Sequence, residues 1–306
     1  MPALQPDVAR AADFLWRSAR LLDRARFAYL FCHGAREPVL AALRAYQNVD
    51  GGFGHTLEPD LRAPLSQPAA VRSALEILDQ IDSFADPMVT RACDYLLTIA
   101  GADGGVPFLL PSALPYPRAP WWNTTAQPPS AVTFSAPIAA LLHKHCITHP
   151  WLERATDYCW RQVLAFDIPA SAGVTGDMSK IGRSYQARAL LAFLDHVPDR
   201  RRAEDAFARL GRLVLEGKLV EPDLNVPGEV HTPLDYAPTP HSLARTLFSD
   251  AVITAHLDAL VAAQQPDGGW RFNWKEWNPA TTLEWRGWLT VETLLTLRAY
   301  GRLRAA

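Results

Sequence analysis

The sequence predicts an all-α protein, a single domain over residues 1–306 that is built from repeated helical hairpins. Three observations predict it. Apolar residues recur at helical spacing in one segment after another. Alternating and β-branched runs, which would indicate strands, are scarce. A glycine-rich turn motif returns at a regular interval, and a repeat array can fill 306 residues because each repeat adds its own share of core.

The turn motif occurs three times, and its spacing sets the length of the repeat. The copies are residues 47–54 (QNVDGGFG), 102–108 (ADGGVPF) and 264–270 (QQPDGGW). Asp50 and Asp103 lie 53 residues apart, and Asp267 follows 164 residues later, close to three such intervals. We therefore expect two degenerate copies near residues 155–175 and 215–225, where turn-forming residues are frequent.

The residue types of the motif predict a hairpin turn. Two consecutive glycines after a helix allow a positive φ and a C-terminal cap. The aspartate before them can accept hydrogen bonds from nearby backbone N–H groups. The glutamine at the helix end can reach the next repeat, and the aromatic residue after the glycines can pack back on the turn. Each repeat is therefore predicted to be a helix, a glycine-rich turn, a long connector and a second helix.

The pattern Gln-x-x-Asp-Gly-Gly-Phe/Trp, which begins at Gln47 and at Gln264, is similar to the Gln–Trp motif of squalene and hopene cyclases. It also resembles the glycine-rich repeats of protein prenyltransferase β-subunits. The resemblance implies an α/α toroid of about five to six helical hairpins, with the N-terminal helix over residues 7–30 packing on the ring. In those families inner helices surround a deep apolar cavity that holds an isoprenoid chain.

By this resemblance, the chain is expected to be a terpene-cyclase-like enzyme that cyclises an isoprenoid or similar apolar chain after protonation by an acid. The sequence differs from proton-initiated cyclases because it has no Asp-x-Asp-Asp motif, and it has no Asp-Asp-x-x-Asp motif for magnesium-assisted ionisation of a diphosphate. Two alternatives therefore stay open. One is a non-catalytic toroid that binds a lipid or a peptide, and the other is a zinc-dependent prenyltransferase-like subunit, which would need a helical partner chain.

The densest polar cluster follows the first glycine turn and consists of His55, Glu58, Asp60 and Arg62. Carboxylates beside a histidine can share protons, and burial raises the pKa of a carboxyl group toward the range of a general acid. We therefore expect Asp60 or Glu58 to be the proton donor, with His55 as a further catalytic residue and Arg62 in the substrate site. Alternatively, these charges satisfy one another and cap the helix that follows.

A second cluster, in the C-terminal connector, combines indoles with a carboxylate. Indole faces stabilise positive charge, which suits carbocation intermediates and cationic head groups. Glu284 is a further candidate acid in this cluster. The residues expected to line or cover the cavity are Trp121, Trp122, Tyr236, Trp270, Trp274, Trp277 and Trp285. Alternatively, the C-terminal tryptophans only cover the last hairpin.

Metal-ligating residue types occur, but their spacing is not specific to a metal site. Asp157-x-Cys159, with His231 or His241 at a distance, resembles the zinc-binding set of prenyltransferase β-subunits, and thiolate, imidazole and carboxylate are suitable zinc ligands. Residues 143–149 (HKHCITH) end a helix, where the helix dipole favours cationic side chains. We predict no metal site and no cofactor, with zinc and magnesium kept as alternatives.

Composition and charge exclude several classes of function. The net charge is −2 and no large cluster of Lys and Arg occurs, so the sequence does not predict a nucleic-acid-binding protein. No stretch has the roughly 18 uninterrupted apolar residues of a membrane span. The N-terminus is typical of an amphipathic helix rather than a signal peptide, and the four cysteines form no C-x-x-C pair. We expect a cytoplasmic protein whose partner is an apolar small molecule.

Overall fold

The structure, a computed structural model, describes residues 4–167 and 178–303, and this part of the chain contains three isolated β-bridges but no strand. The prediction of an all-α protein is therefore confirmed. Within the same residues, no helix combines the length and the apolar character that a membrane span needs. The α-helices are α1 (Val8–Ser18), α2 (Leu21–Phe31), α3 (Glu37–Arg44), α4 (Pro68–Gln80), α5 (Pro87–Ile99), α6 (Val132–Lys144), α7 (Pro150–Ala165), α8 (Met178–His196), α9 (Arg200–Glu216), α10 (Pro233–Tyr236), α11 (Asp250–Ala262) and α12 (Pro279–Ala299). Two short 3-10 helices cover Pro111–Ala113 and Leu243–Leu247.

The predicted N-terminal helix over residues 7–30 is two helices rather than one. α1 ends at Ser18 and α2 begins at Leu21, because Ala19 and Arg20 adopt extended backbone conformations with ψ values of 161° and 153°. The local sequence gave no sign of this break, since alanine and arginine are both strong helix formers. The prediction of one continuous helix was wrong for that reason.

The described residues divide into two compact units. The terminal unit comprises residues 4–39, 178–184 and 211–303, and the central unit comprises residues 40–167 and 185–210. Each has its own apolar core. Fully buried core residues include Leu15 and Leu294 in the terminal unit, and Val71, Leu75 and Ile138 in the central unit.

Two layers of helices form the central unit. One layer contains α4 packed on α6, and the other contains α5 packed on α7, while α4–α5 and α6–α7 contacts join the layers. A proline lies in the first turn of α4, α5 and α7. Its fixed φ suits that position, and the N–H group that it lacks would have no partner within the helix there. α6 is buried on all sides over residues 134–140, as expected of a helix that is apolar around its whole circumference.

In the terminal unit, the long helix α12 packs on α1, α2 and α11. Gly287 permits the close approach, because a Cβ there would lie 2.8 Å from Ala19 Cβ. Any larger residue at position 287 would push α12 away from the junction between α1 and α2. The glycine therefore fixes the distance between these helices.

The three glycine-rich turns have the same local geometry. The first glycine of each pair has a left-handed φ: 88° at Gly51, 90° at Gly104 and 96° at Gly268. The Oδ1 atom of the preceding aspartate accepts the N–H of the second glycine, at 2.9, 3.2 and 3.2 Å in Asp50, Asp103 and Asp267. The motif therefore makes the cap that its residue types predict.

Each turn also packs on a helix in the same way. An ideal Cβ on the left-handed glycine would lie only 2.0–2.4 Å from an arginine carbonyl oxygen, so that only glycine fits. The aromatic side chain four residues after that arginine covers the second glycine. The arginine and aromatic residues are Arg91 and Tyr95 in α5, Arg154 and Tyr158 in α7, and Arg10 and Phe14 in α1.

The helix on which the third turn packs comes from the opposite end of the sequence. Gln264 Nε2 donates to Asp7 O at 2.8 Å, and Asp7 N–H donates to Gln264 Oε1 at 2.8 Å. α1 therefore has the position relative to the last turn that α5 and α7 have relative to the first two. Sequence separation hides this equivalence, because the helix precedes its turn by about 250 residues.

The two degenerate copies that we expected lack the motif's geometry where the structure describes them. Within 155–175, the residues up to Ala165 belong to α7, and those from 168 onward lie outside the described residues. Within 215–225, the chain turns after α9 at Lys218, which has a φ of 50°, and Glu221 N–H donates to His231 O at 2.7 Å. This connector is held by a different set of hydrogen bonds.

Candidate functional site

The acidic residues predicted as catalytic lie in a connector of the central unit that precedes α4. Two backbone hydrogen bonds join this connector to the one before α6: Arg62 N–H donates to Pro117 O at 3.0 Å, and Ala119 N–H donates to Asp60 O at 2.9 Å. Buried Gln67 joins them again, because its Oε1 accepts from Leu110 N–H at 2.9 Å. The two connectors therefore form one layer at the N-terminal end of α4.

Glu58 and Asp60 are both buried in this layer. Their relative exposures are 9% and 3%, and Asp60 N–H approaches Glu58 Oε1 at 3.5 Å. His55 differs from them, since it is exposed, has a φ of 53° and shares a 2.9 Å hydrogen bond with Asn48 of the glycine turn. Arg62 is half-buried and donates from Nη1 to Pro59 O at 3.3 Å. Burial thus divides the four residues that stand together in the sequence.

An ion pair on α4 adds charged groups that the sequence analysis did not single out. Arg72 Nε donates to Glu76 Oε1 at 2.7 Å, and the two side chains are 35% and 27% exposed. Burial by itself would lower the pKa of Arg72, but the hydrogen-bonded Glu76 carboxylate, with Glu58 and Tyr185 of α8, raises it above its ordinary value. Arg72 therefore stays a cation. Its i,i+4 spacing from Glu76 was the only signal of this pair in the sequence.

Three aromatic rings form a cluster beside the second connector. Ring centroids are 4.7 Å apart for Phe108 and Trp122, 5.2 Å for Phe108 and Phe134, and 6.0 Å for Trp122 and Phe134. Trp122 is buried, and its indole N–H makes no hydrogen bond to any described residue. Trp121, also predicted to line a cavity, is half-buried. The cluster therefore forms an electron-rich, largely buried apolar region next to the connector layer.

The C-terminal tryptophans lie in the terminal unit and have different environments. Trp270 is buried, and its Nε1 donates to Leu260 O at 2.8 Å, which is the environment of a core residue. Trp274 stacks on Phe272 at 4.6 Å and meets Trp285 edge-on at 5.1 Å. Trp277 and Glu284 are both half-buried. Only some of the predicted lining residues therefore have accessible rings.

Tyr236 belongs to a buried hydrogen-bond network of the terminal unit. Its hydroxyl donates to Leu219 O at 3.0 Å and lies 2.7 Å from Ser184 Oγ. Ser184 Oγ is in turn 2.5 Å from His231 Nδ1. All three side chains are buried, so this network holds the connector after α9 rather than an accessible surface.

A buried network of charges in the terminal unit was also missed. Asp23 binds Arg20 Nε at 2.9 Å and Arg26 Nη1 at 3.0 Å, and Arg26 also pairs with Glu292 of α12. The Arg26 guanidinium lies 4.2 Å from the centroid of the Trp288 ring. The network joins α2 to α12 through charges, and no local sequence pattern indicated that α2 and α12 are neighbours.

The residues considered as metal ligands do not form a metal-binding group within the described chain. Asp157 is exposed and Cys159 is buried, because residues two apart on a helix point to different sides. Burial also raises the pKa of the Cys159 thiol, which disfavours the thiolate that zinc requires. His231 Nδ1 is hydrogen-bonded to Ser184 Oγ, as described above, and His241 is exposed.

The histidines of residues 143–149 have separate structural partners. His143 is hydrogen-bonded to Thr156 Oγ1 at 2.8 Å, and His145 binds Asp79 at 2.6 Å while stacking on Phe84. His149 Nδ1 accepts the Trp151 N–H at 3.1 Å and so caps α7. Only His145 lies at the C-cap of α6, whereas His143 contacts the side of α7 and His149 caps the start of α7.

Comparison with known proteins gives a likeness in fold. No protein-family model matches the sequence, and no curated protein matches it significantly. A crystal structure of a protein from Actinoplanes superimposes with a TM-score of 0.56 at 18% identity, covering 96% of this chain and 98% of the other. The type II terpene cyclase MstE from Scytonema, without ligand, gives 0.55 at 15% identity over 97% and 98% of the two chains.

A variant of MstE in complex with geranylgeranyl dihydroxybenzoate gives a TM-score of 0.52 at 15% identity, covering 97% of both chains. A second variant, in complex with the product merosterolic acid A, gives 0.55 over 97% and 96%. At these identities the likeness concerns the fold alone. The chain is similar in fold to a type II terpene cyclase, and its fold class is the all-α, α/α toroid that the glycine-rich motif predicted.

Proposed function

We propose that this protein is a terpene-cyclase-like enzyme, which binds an isoprenoid or similar apolar chain and cyclises it after protonation by Asp60. The observation that carries the proposal is the burial of Asp60 and Glu58 in a connector that is hydrogen-bonded to the segment before Trp122. Burial disfavours the charged form of a carboxyl group. A buried carboxyl can therefore hold the proton that starts a cyclisation.

Asp60 is a better candidate for the acid than Glu58. Asp60 is the more deeply buried of the two, at 3% exposure against 9% for Glu58. Glu58 also lies close enough to Arg72 to raise the pKa of that guanidinium. We therefore assign the donor role to Asp60 and a supporting electrostatic role to Glu58.

The aromatic cluster of Phe108, Trp122 and Phe134 suits the remainder of the reaction. Aromatic faces attract positive charge, and apolar rings keep water from a reactive cation. The proton alone starts the proposed reaction, so we propose no metal cofactor. MstE, whose fold this chain shares, was solved with geranylgeranyl dihydroxybenzoate, and we extend the isoprenoid substrate class to this chain as part of the proposal.

The test is product formation by purified protein and two variants. Wild-type protein, Asp60→Asn and Glu58→Gln are incubated with farnesyl or geranylgeranyl diphosphate, and products are identified by mass spectrometry. We expect a cyclised product from the wild type, with or without a chelator, and a loss of about 100-fold or more in Asp60→Asn. Asp86→Asn, which alters a helix cap in the same unit, is the control and should stay active. Full activity in both Asp60→Asn and Glu58→Gln would remove the assignment.

A non-catalytic toroid that binds a lipid is the second candidate. It is favoured by the charge of Arg72 beside Glu58 and by the missing Asp-x-Asp-Asp motif. The same incubation separates the two functions. Recovery of bound but unchanged isoprenoid would support the binding protein and would contradict the enzyme.

A further inference from the structure

The helices on which the three glycine-rich turns pack share a short pattern, Arg-Ala-x-Asp-Tyr/Phe. It covers residues 91–95 (RACDY) of α5, 154–158 (RATDY) of α7 and 10–14 (RAADF) of α1. Residues at the same step of the pattern therefore have equivalent positions in the three helices. A difference in environment between two equivalent residues shows where one helix lacks a contact that another helix makes.

Trp16 of α1 and Trp160 of α7 are equivalent, because each follows the arginine of the pattern by six residues, but their environments differ. Trp160 is only 6% exposed, and the Arg202 guanidinium of α9 lies 3.9 Å from the centroid of its ring. Trp16 is 53% exposed. The helix α1 therefore leaves in contact with water an indole whose counterpart in α7 is covered by a cation.

Two charged side chains surround Trp16 on the exposed side of α1. Asp13 shares a face with both Trp16 and Arg17, because it precedes them by three and four positions. The Asp13 and Arg17 side chains are 71% and 79% exposed, and their ion pair is long, at 3.9 Å. Arg161, the counterpart of Arg17 in α7, donates from Nη2 to a carbonyl of the second glycine-rich turn at 2.5 Å. Arg17 instead borders an open groove of about 540 Å³, together with Asp13.

This face of α1 is complementary to itself. Asp13 and Arg17 are four residues, or about 6 Å, apart along the helix axis. If two antiparallel copies of α1 are related by a twofold axis at the level of Leu15, Asp13 of each copy lies opposite Arg17 of the other. Both Trp16 rings then lie between the two ion pairs, and each ring is covered by the other copy. The twofold axis repeats every contact, as in most homodimers.

We propose that the protein associates with a second copy of itself through this face of α1, with ion pairs between Asp13 and Arg17 of different copies on both sides of Trp16. Tryptophan and arginine are enriched among the residues that contribute most to protein interfaces. One face of an 11-residue helix is smaller than the interface of a stable complex, so the dimer is weak, with a dissociation constant of about 10–100 μM. The inference is independent of the proposed function, because α1 contains none of the residues assigned to the reaction.

Charge reversal tests whether Asp13 and Arg17 face each other across two copies. Sedimentation velocity of the full chain, at about 5–500 μM, measures the association. Asp13→Arg and Arg17→Asp each bring like charges together, so either variant alone should associate at least about tenfold more weakly than the wild type. An equimolar mixture of the two variants has opposite charges at both contacts, and its association should return to within about threefold of the wild type.

Trp16→Ala tests the contribution of the indole, with Leu164→Ala as the matched control. Leu164 of α7 is 66% exposed, so its removal changes exposed apolar surface away from α1. Trp16→Ala should weaken association about tenfold or more, whereas Leu164→Ala should leave it unchanged. Equal effects of these two variants would overturn the proposal, as would a mixture of the charge variants that associates no better than either alone. A wild type that stays monomeric at about 500 μM would overturn it as well, and would leave this face of α1 to a partner of another kind.

Discussion

Replacing Gly268 with alanine should separate α1 from the last turn, and Gly228 provides a matched control. Both glycines have a strongly positive φ, 96° and 90°. They differ in their surroundings. An ideal Cβ at 268 would lie 2.0 Å from Arg10 O and 2.3 Å from Arg10 C, whereas a Cβ at 228 would have no neighbouring heavy atom within 4 Å.

The difference between the two variants follows from these distances. A non-glycine residue in this backbone region costs about 1–3 kcal/mol, and both variants carry that cost. Gly268→Ala also overlaps backbone atoms of α1, which cannot rotate away, and overpacking of this kind costs about 1–3 kcal/mol. Moving α1 weakens the paired hydrogen bonds between Asp7 and Gln264, worth about 1 kcal/mol each. Gly268→Ala should therefore destabilise the protein by about 2–4 kcal/mol more than Gly228→Ala.

Urea unfolding at 25 °C measures this difference. Tryptophan fluorescence and far-UV circular dichroism should be recorded together, because coincident transitions are needed before a single free energy of unfolding is assigned. If the two variants lose the same stability within about 0.5 kcal/mol, the close packing of the last turn on α1 does not exist in solution.

Two further predictions concern buried charges and thiols. Arg26→Met should lower the free energy of unfolding by about 3–5 kcal/mol, because it leaves Asp23 and Glu292 without their shared guanidinium. Arg17→Met, which breaks an exposed pair with Asp13, should be indistinguishable from the wild type in the same urea titration, and equal losses would contradict this account. A thiol reagent at pH 8 should label two cysteines of the native protein quickly and the other two only on unfolding, because burial raises the pKa of Cys93 to about 12 and raises that of Cys159 as well. The fast pair should be Cys32 and Cys146, and rapid labelling of four thiols would refute the assignment.

The sequence was sufficient to predict what depends on neighbouring residues. The left-handed glycine and the aspartate cap form within a few residues of each other, so their geometry at Gly51, Gly104 and Gly268 could be inferred from the motif. The helix on which each turn packs could not be inferred in the same way. For the last turn that helix is α1, and only long-range contacts bring Asp7 to Gln264.

Burial, rather than sequence proximity, decides which polar residues belong to one site. His55 and Asp60 are five positions apart, yet one is exposed on a turn and the other is buried. Arg72 lies twelve positions beyond Asp60, in a helix that also carries Glu76 and Asp79, and periodicity alone gives no reason to distinguish it from a surface arginine. The three-dimensional environment of a side chain was needed to separate these cases.

The accessible side of α4 changes what kind of ligand the central unit can hold. An apolar cavity was expected, yet this helix carries the half-buried Arg72–Glu76 ion pair, and the aromatic rings of Trp122 and Phe134 are buried. Removing water from an ion pair without replacing its hydrogen bonds is unfavourable, so a purely apolar chain would bind poorly against this helix.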